Sequence, residues 1–223
     1  MKKFKAAIFD MDGTLLESMY IWRNLVPEYL ARNNISVSND LLEIIAPMGT
    51  SQAVDFIIKS FHLDLTHDEL HDELLAVLED FYRNSAALKP GAKAFLQKLH
   101  ANNIPAVIFS ATPEYLLRLA MDRLDMSRYF SHGLLSCDTV KYRKNDPEAF
   151  LAVAGYLNTD PAEIMIFEDA WYAASTAVNA GFAVTVMADK EEQRTEELRA
   201  IAEFYVEKSW DEFPLERYFQ LNN

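Results

Sequence analysis

The stretch Phe9-Asp10-Met11-Asp12-Gly13-Thr14-Leu15 follows a largely apolar run, residues 4–9, that has the length of a β-strand. Asp and Gly are common in turns, which accounts for Gly13 and for Asp12. A turn does not account for Asp10, because a carboxylate at the end of a buried strand is desolvated and needs compensation. The pattern therefore predicts a functional pair of carboxylates directly after the first strand.

The composition limits the classes of protein that fit. Half of the 223 residues are hydrophobic, enough for one large domain or for a core with a smaller companion. The net charge of −13 repels polyanions, so we expect neither nucleic acid nor a membrane as partner. One cysteine, Cys137, excludes an intramolecular disulfide and favours a cytoplasmic location. No signal peptide is evident, and no apolar run reaches the roughly 18–20 residues that span a bilayer.

Residues 18–87 show helical spacing of apolar residues and almost no strand signal. Four or so helices are predicted, the last of them after a capping box formed by Thr66 and Glu69. A single crossover connection between two strands does not contain so many consecutive helices. We therefore expect an inserted helical domain over residues 18–87 and a core built from residues 1–17 and 88–223.

From residue 88 onward, predicted strands and helices alternate. Thr112-Pro113, Asp146-Pro147 and Asp160 to Glu163 are typical of helix starts. The alternation predicts an α/β fold, a Rossmann-like parallel sheet core with an inserted all-helical domain. Ligands of such sheets bind at the carboxyl ends of the strands. The strands predicted after the first one are residues 104–109, 133–136, 164–167, 183–187 and 204–206.

Polar side chains follow these predicted strands. Ser110 ends the second, Glu168-Asp169 follows the fourth, and Lys144 precedes the Asp146-Pro147 helix. Each has an ordinary explanation alone, as a solvated loop serine, a surface lysine, or acids favoured at a helix start. Together with Asp10 and Asp12 at one edge of the sheet, they predict an active site.

Four segments also resemble, in order, the four motifs of the haloacid dehalogenase superfamily, most of whose members transfer phosphate. They are residues 10–15, 108–112, 144–150 and 166–170. The helical insertion after the first motif resembles the C1 cap of the beta-phosphoglucomutase-like branch, and the resemblance covers essentially the whole chain. It implies an enzyme that acts on phosphate monoesters. Asp12, which haloacid dehalogenases proper lack, favours phosphate chemistry over carbon–halogen cleavage.

A magnesium site is expected in the same place. The resemblance implies that Asp10 and Asp169 bind Mg²⁺ through their side chains and Asp12 through its backbone carbonyl, with Glu168 a direct or water-mediated ligand. Like charges about 4 Å apart repel by roughly 4 kcal/mol at an effective dielectric of 20, and a divalent cation offsets this repulsion. Oxygen ligands favour magnesium over zinc, because the sequence has no Cys/His cluster with zinc spacing.

We hypothesise that Asp10 attacks phosphorus and that Asp12 first protonates the leaving oxygen and then deprotonates water. Ser110 and Lys144 would bind the transferring phosphoryl group, with the Gly13-Thr14 amides completing the cradle. The expected function is a Mg²⁺-dependent phosphatase, a monomer acting on a small phosphorylated metabolite such as a sugar phosphate.

The predicted cap departs from relatives at positions that choose the substrate. Trp22 stands where sugar-phosphate mutases have a histidine, although simple packing within the cap explains it equally well. Gln52 and Pro113-Glu114 stand where relatives often carry Arg and Asn or Lys, respectively. These departures favour a phosphatase. A mutase of the beta-phosphoglucomutase type stays an alternative, as does a non-catalytic binding protein of this fold.

Overall fold

A computed structural model describes residues 3–36, 41–45 and 50–221. Within these ranges six strands form one parallel sheet in the order β3-β2-β1-β4-β5-β6. The predicted α/β fold with a Rossmann-like sheet is thereby confirmed, and every strand lies within two residues of its predicted bounds. The strands are β1 Ala6–Phe9, β2 Ala106–Ser110, β3 Leu134–Ser136, β4 Ile164–Glu168, β5 Ala183–Met187 and β6 Phe204–Val206.

Helices connect the strands and fill the insertion. Among the described residues, none of them combines the length and the apolar character needed to cross a membrane. The α-helices are α1 Met19–Arg32, α2 Leu41–Ile45, α3 Thr50–Phe61, α4 His67–Asp80, α5 Ala92–Ala101, α6 Glu114–Arg123, α7 Cys137–Val140, α8 Pro147–Tyr156, α9 Trp171–Asn179, α10 Thr195–Ile201 and α11 Leu215–Tyr218.

The chain divides into two compact units. One comprises the described residues up to Met19 and from Ala86 onward, and the other runs from Tyr20 to Ser85. The first unit contains the whole sheet, and the second is helical. In the helical unit the predicted capping box before α4 is confirmed, since the Thr66 hydroxyl accepts from the Glu69 amide and the Glu69 carboxylate accepts from the Thr66 amide.

The sheet is buried on both faces, as its continuous apolar strands predict. Side chains alternate along β1, so that Ile8 and Phe9 point to opposite faces. Ile8 belongs to a cluster with Phe150 of α8. Phe9 stacks on Phe167 of β4, with ring centroids 4.5 Å apart and planes 4° apart. The strand that precedes the carboxylate pair is therefore held rigidly from both sides.

One predicted helix start is wrong, and a second caps only a short turn, in which the Asp160 carboxylate accepts from the Ala162 amide. Thr112 does not cap a helix, because α6 begins at Glu114 with Pro113 in the capping position, and the Thr112 hydroxyl donates to Asp12 instead. Asp160 begins only a single 3₁₀ turn, because β4 starts directly after it. The start at Asp146 is confirmed, since its carboxylate accepts from the amide of the second helical residue.

Trp210 joins the C-terminal segment to the sheet and is 1% exposed. Its ring centroid lies 4.6 Å from that of Phe95 and 5.2 Å from that of Phe167. We expect Trp210→Ala to lower the free energy of unfolding by about 3–5 kcal/mol, because it leaves a large cavity. Urea denaturation measures this, with Tyr156→Ala, an aromatic side chain left 54% exposed, as the matched control. Equal losses in both variants would contradict a packing role for Trp210.

Candidate active site

The predicted site residues meet at one edge of the sheet. β1 lies between β2 and β4, and Phe9 pairs with Ile108 on one side and with Phe167 on the other. The Asp10 amide continues this pairing by donating to the Phe167 carbonyl at 2.9 Å. The strand order reverses here, since β2 and β3 lie on one side of β1 and β4 to β6 lie on the other. Sheets of α/β proteins bind ligands at such a point.

Lys144 is a buried cation that bridges two carboxylates. Its Nζ lies 2.5 Å from Asp10 Oδ1 and 2.8 Å from Glu168 Oε1, and the residue is 3% exposed. Burial alone would lower the pKa of Lys144, but the attraction of Asp10 and Glu168 outweighs it and raises that pKa above its usual range. Lys144 is therefore protonated at neutral pH, and its interpretation as a surface lysine is wrong.

Three carboxylates face one another around this lysine. Asp10, Glu168 and Asp169 are buried, and each offers an oxygen within 4.8 Å of the others. Burial raises the pKa of Asp10 to about 7 against the opposing charge of Lys144. Burial, followed by the charges of Glu168 and Asp10, also raises the pKa of Asp169 well above its usual range. These raised pKa values mean that the three carboxyls are not easily ionised together beside one lysine, and a bound cation would favour their ionised forms.

Hydrogen bonds hold the two acids at the end of β4 in place. Glu168 Oε2 accepts from the backbone amides of Asp169 and Ala170 at 2.7 and 2.9 Å. Asp169 Oδ1 accepts from the Thr14 hydroxyl at 3.1 Å. The arrangement fits Mg²⁺, since preorganised carboxylate oxygens are the ligands that this ion prefers. Ligation by the backbone carbonyl of Asp12 stays a prediction.

Gly13 contributes through its conformation. Its φ is +81°, and a Cβ at this position would lie 2.1 Å from Asp169 Oδ2, so that only glycine fits here. Its amide donates to the Leu16 carbonyl at 3.1 Å. The Gly13 amide is thus engaged within the loop, and its binding of phosphate stays a prediction. The contribution of the Thr14 amide stays a prediction.

Ser110 and Asp12 come together through a residue whose role the sequence did not indicate. The Ser110 oxygen accepts from the Thr112 amide at 3.2 Å, which leaves the Ser110 hydroxyl proton to donate to a ligand. The Thr112 hydroxyl donates to Asp12 Oδ2 at 2.8 Å, and both residues are buried. Because 100 residues separate Thr112 from Asp12, no local pattern could have predicted the contact.

Two further residues near the cluster were also missed. Lys89 is buried, bonds to Asp189 at 3.0 Å, and its charge opposes the rise in the pKa of Asp169. Tyr172 lies in the first turn of α9, and the pKa of its phenol is raised by desolvation and by the charge of Glu168. The sequence offered no signal for either residue, because lysine before Pro-Gly and tyrosine at a helix start are both ordinary.

In the helical unit, the Trp22 indole donates to the Tyr82 hydroxyl at 3.0 Å. This bond supports the interpretation of Trp22 as a residue that packs within its own unit. Gln52 is exposed on α3, and Gly49, which precedes it, lies outside the described residues.

Comparison with known proteins agrees with this site. A family model described as haloacid dehalogenase-like hydrolase matches residues 4–181. A probable pseudouridine-5'-phosphatase of Drosophila melanogaster is 25% identical over 219 residues, which cover 93% of this chain and 94% of that protein. The (DL)-glycerol-3-phosphatase 2 of Arabidopsis thaliana is 30% identical over 189 residues, 82% of this chain and 78% of that protein.

The fold has a relative among solved structures. The crystal structure of a putative beta-phosphoglucomutase from Thermotoga maritima matches with a TM-score of 0.71 and 24% identity, covering 91% of this chain and 94% of that one. With the family model matching most of the chain, the resemblance of the four motifs is confirmed. The chain belongs to the haloacid dehalogenase-like hydrolase family.

Proposed function

We propose that the protein is a Mg²⁺-dependent phosphatase that hydrolyses a small phosphomonoester through an aspartyl-phosphate on Asp10. The observation that carries this proposal is the buried lysine, Lys144, held against Asp10 and Glu168 at the carboxyl edge of the sheet. A protonated lysine beside a carboxylate favours its ionised form against the effect of burial and orients it, as a nucleophile requires. The relatives named as phosphatases support the same reaction.

In the first step Asp10 attacks phosphorus, and the bond from phosphorus to the leaving oxygen breaks. Asp12 gives its proton to that oxygen, so the product leaves as a neutral alcohol. In the second step water attacks the phosphorus of the aspartyl-phosphate and gives its proton to Asp12. Inorganic phosphate leaves, and both aspartates return to their starting states.

Charge in the site supports the transfer. Lys144 places its ammonium beside Asp10, where negative charge moves during the reaction, and the Ser110 hydroxyl donates to a phosphoryl oxygen. Asp10, Asp169 and Glu168 would hold Mg²⁺, which would supply further positive charge for binding an anionic phosphoryl group. With Lys144 and a bound cation, a site that contains several buried carboxylates could bind an anionic phosphate.

The relatives also suggest the size of the substrate. Pseudouridine 5'-phosphate and glycerol 3-phosphate, the substrates in the names of two of them, are both small phosphorylated metabolites whose leaving group is an alcohol. A mutase would keep the phosphoryl group on its product. Trp22, bonded to Tyr82 where mutases carry a histidine, cannot exchange a proton at neutral pH and supports hydrolysis instead.

The test is a panel of phosphomonoesters assayed with Mg²⁺ and with EDTA. The panel contains p-nitrophenyl phosphate, glycerol 3-phosphate, pseudouridine 5'-phosphate and hexose phosphates. We expect release of inorganic phosphate from at least one of them, lowered by roughly a hundredfold in EDTA and restored by added Mg²⁺. Phosphate release that EDTA leaves unchanged would contradict the metal dependence. An isomeric sugar phosphate as product, without free phosphate, would identify a mutase.

A further inference from the structure

The loop around Asp12 fixes its backbone but not the direction of its side chain. The loop closes on itself, because the Leu15 and Leu16 amides both donate to the Met11 carbonyl, at 3.0 and 2.9 Å, and the Gly13 amide donates back to Leu16 at 3.1 Å. These bonds determine where the Asp12 Cα lies. They do not determine the two torsions that aim its carboxyl group.

Thr112 makes the contact that can fix those torsions. Its hydroxyl donates to Asp12 Oδ2 at 2.8 Å, in a place where Thr112 is 6% and Asp12 8% exposed. The hydroxyl is not used as a helix cap, since α6 begins beyond it with Pro113 in the capping position. A buried hydrogen bond to a carboxylate is stronger than one between neutral groups, so this contact holds the carboxyl group firmly.

The loop that carries Thr112 is itself held in place. β2 ends at Ser110, beside β1, and the Ser110 oxygen accepts from the Thr112 amide at 3.2 Å. This bond fixes the position of Thr112 relative to the end of β2. One short segment, Ser110 to Thr112, therefore contributes to two parts of the proposed reaction. Ser110 binds the phosphoryl group, and Thr112 contacts Asp12, which transfers the proton.

We propose that Thr112 is a positioning residue for proton transfer by Asp12. By donating to Oδ2, its hydroxyl reserves that oxygen as an acceptor, so the transferred proton resides on Oδ1. In the first step this proton passes from Oδ1 to the leaving oxygen as the phosphorus–oxygen bond breaks. In the second step Oδ1 takes a proton from the attacking water. The proposal rests on the acid–base role of Asp12 in the proposed function.

The identity of the leaving group separates this role from a merely structural one. A nitrophenolate leaves without a proton, whereas an alkoxide needs one. The value of kcat/KM reports the steps up to and including cleavage of the ester bond. If the protonated Asp12 carboxyl group is misoriented, kcat/KM should therefore fall more for alkyl esters than for p-nitrophenyl phosphate. Damage to the fold or to Mg²⁺ binding would lower the activity toward both substrates equally.

The experiment compares Thr112→Val, which has nearly the same shape without a hydroxyl, with Thr112→Ser, which keeps the hydroxyl. The substrates are p-nitrophenyl phosphate and the best alkyl phosphate of the panel. For Thr112→Val we expect kcat/KM toward the alkyl phosphate to fall roughly 10- to 100-fold more than toward p-nitrophenyl phosphate. Thr112→Ser should remain within a few-fold of the parent. Thr159→Val, at a half-buried threonine that bonds to the Leu157 carbonyl, is the matched control and should equal the parent.

Asp12→Asn in the same assay separates failure of this proposal from failure of the proposed function. If Asp12→Asn shows the leaving-group dependence and Thr112→Val does not, Thr112 does not position the acid. If Asp12→Asn does not show it, the acid–base assignment itself is wrong. We also expect Thr112→Val to have no further effect in the Asp12→Asn background, because the two changes remove one interaction. Additive losses in the double variant would overturn the proposal. If Thr112→Val does not fold, Thr112→Ala, which also lacks the hydroxyl, takes its place.

Discussion

Asp10→Asn is expected to abolish turnover, lowering kcat/KM by roughly 10⁴-fold or more. An amide has almost the same size as the carboxylate but cannot attack phosphorus, so covalent transfer stops. We expect the fold to persist, because burial already raises the pKa of Asp10 to about 7 and the site therefore tolerates an uncharged group in this position.

Steady-state kinetics with Mg²⁺ measure the effect of Asp10→Asn, and circular dichroism checks the fold. Mass spectrometry after an acid quench should find a phosphate on Asp10 in the parent and none in the variant. Asp138→Asn makes the same chemical change at a carboxylate whose side chain is 70% exposed, and it should match the parent. Turnover of Asp10→Asn at the parent rate would mean that another group is the nucleophile.

Lys144→Met is expected to have the second largest effect, a loss of about 10²- to 10³-fold in kcat/KM. Methionine keeps a long apolar side chain over Phe109 but removes the ammonium group that holds Asp10 and Glu168. Three buried carboxylates then face one another without a lysine. Removing one partner of a buried ion pair costs about 3–5 kcal/mol of stability, so the free variant should also unfold at a lower temperature.

Added Mg²⁺ should restore part of that stability, because a cation that binds only the folded state shifts the unfolding equilibrium. We therefore expect Mg²⁺ to raise the unfolding temperature of Lys144→Met more than that of the parent, while activity stays low. Thermal unfolding with and without Mg²⁺ measures this, with Lys98→Met, at an exposed lysine of α5, as the control. An unchanged kcat/KM in Lys144→Met would show that Lys144 has no part in the reaction.

Local patterns in the sequence were enough to predict the fold. Short apolar runs such as residues 164–167 indicated strands buried on both faces, and their alternation with helices indicated a parallel sheet. The same logic brought Asp10, Ser110 and Asp169 to one edge, because the carboxyl ends of parallel strands coincide. The helix start at Thr112 failed because the Thr112 hydroxyl binds Asp12, whereas Asp160 caps a turn that stays short because β4 follows it.

The roles of individual atoms could not be predicted in this way. The sequence shows a lysine at position 144, but only the fold removes it from water and places it between Asp10 and Glu168. It shows glycine at position 13, but only the fold makes a side chain there collide with Asp169. Burial and pKa depend on every neighbouring group, and most of these neighbours are distant in the sequence.

By itself, then, the sequence determined the layers of the fold, the order of the four motifs and the chemical types of the site residues. All of these follow from spacings of a few residues along one strand, turn or helix. Only the tertiary structure decided that Lys144 bridges two carboxylates, that Thr112 serves Asp12 and not its own helix, and that the Gly13 amide is engaged within its loop. The contacts of Lys144 with Asp10 and of Thr112 with Asp12 span 100 or more residues, and the third depends on how one loop closes. Such contacts follow from the order and register of strands in the sheet and from the packing around them.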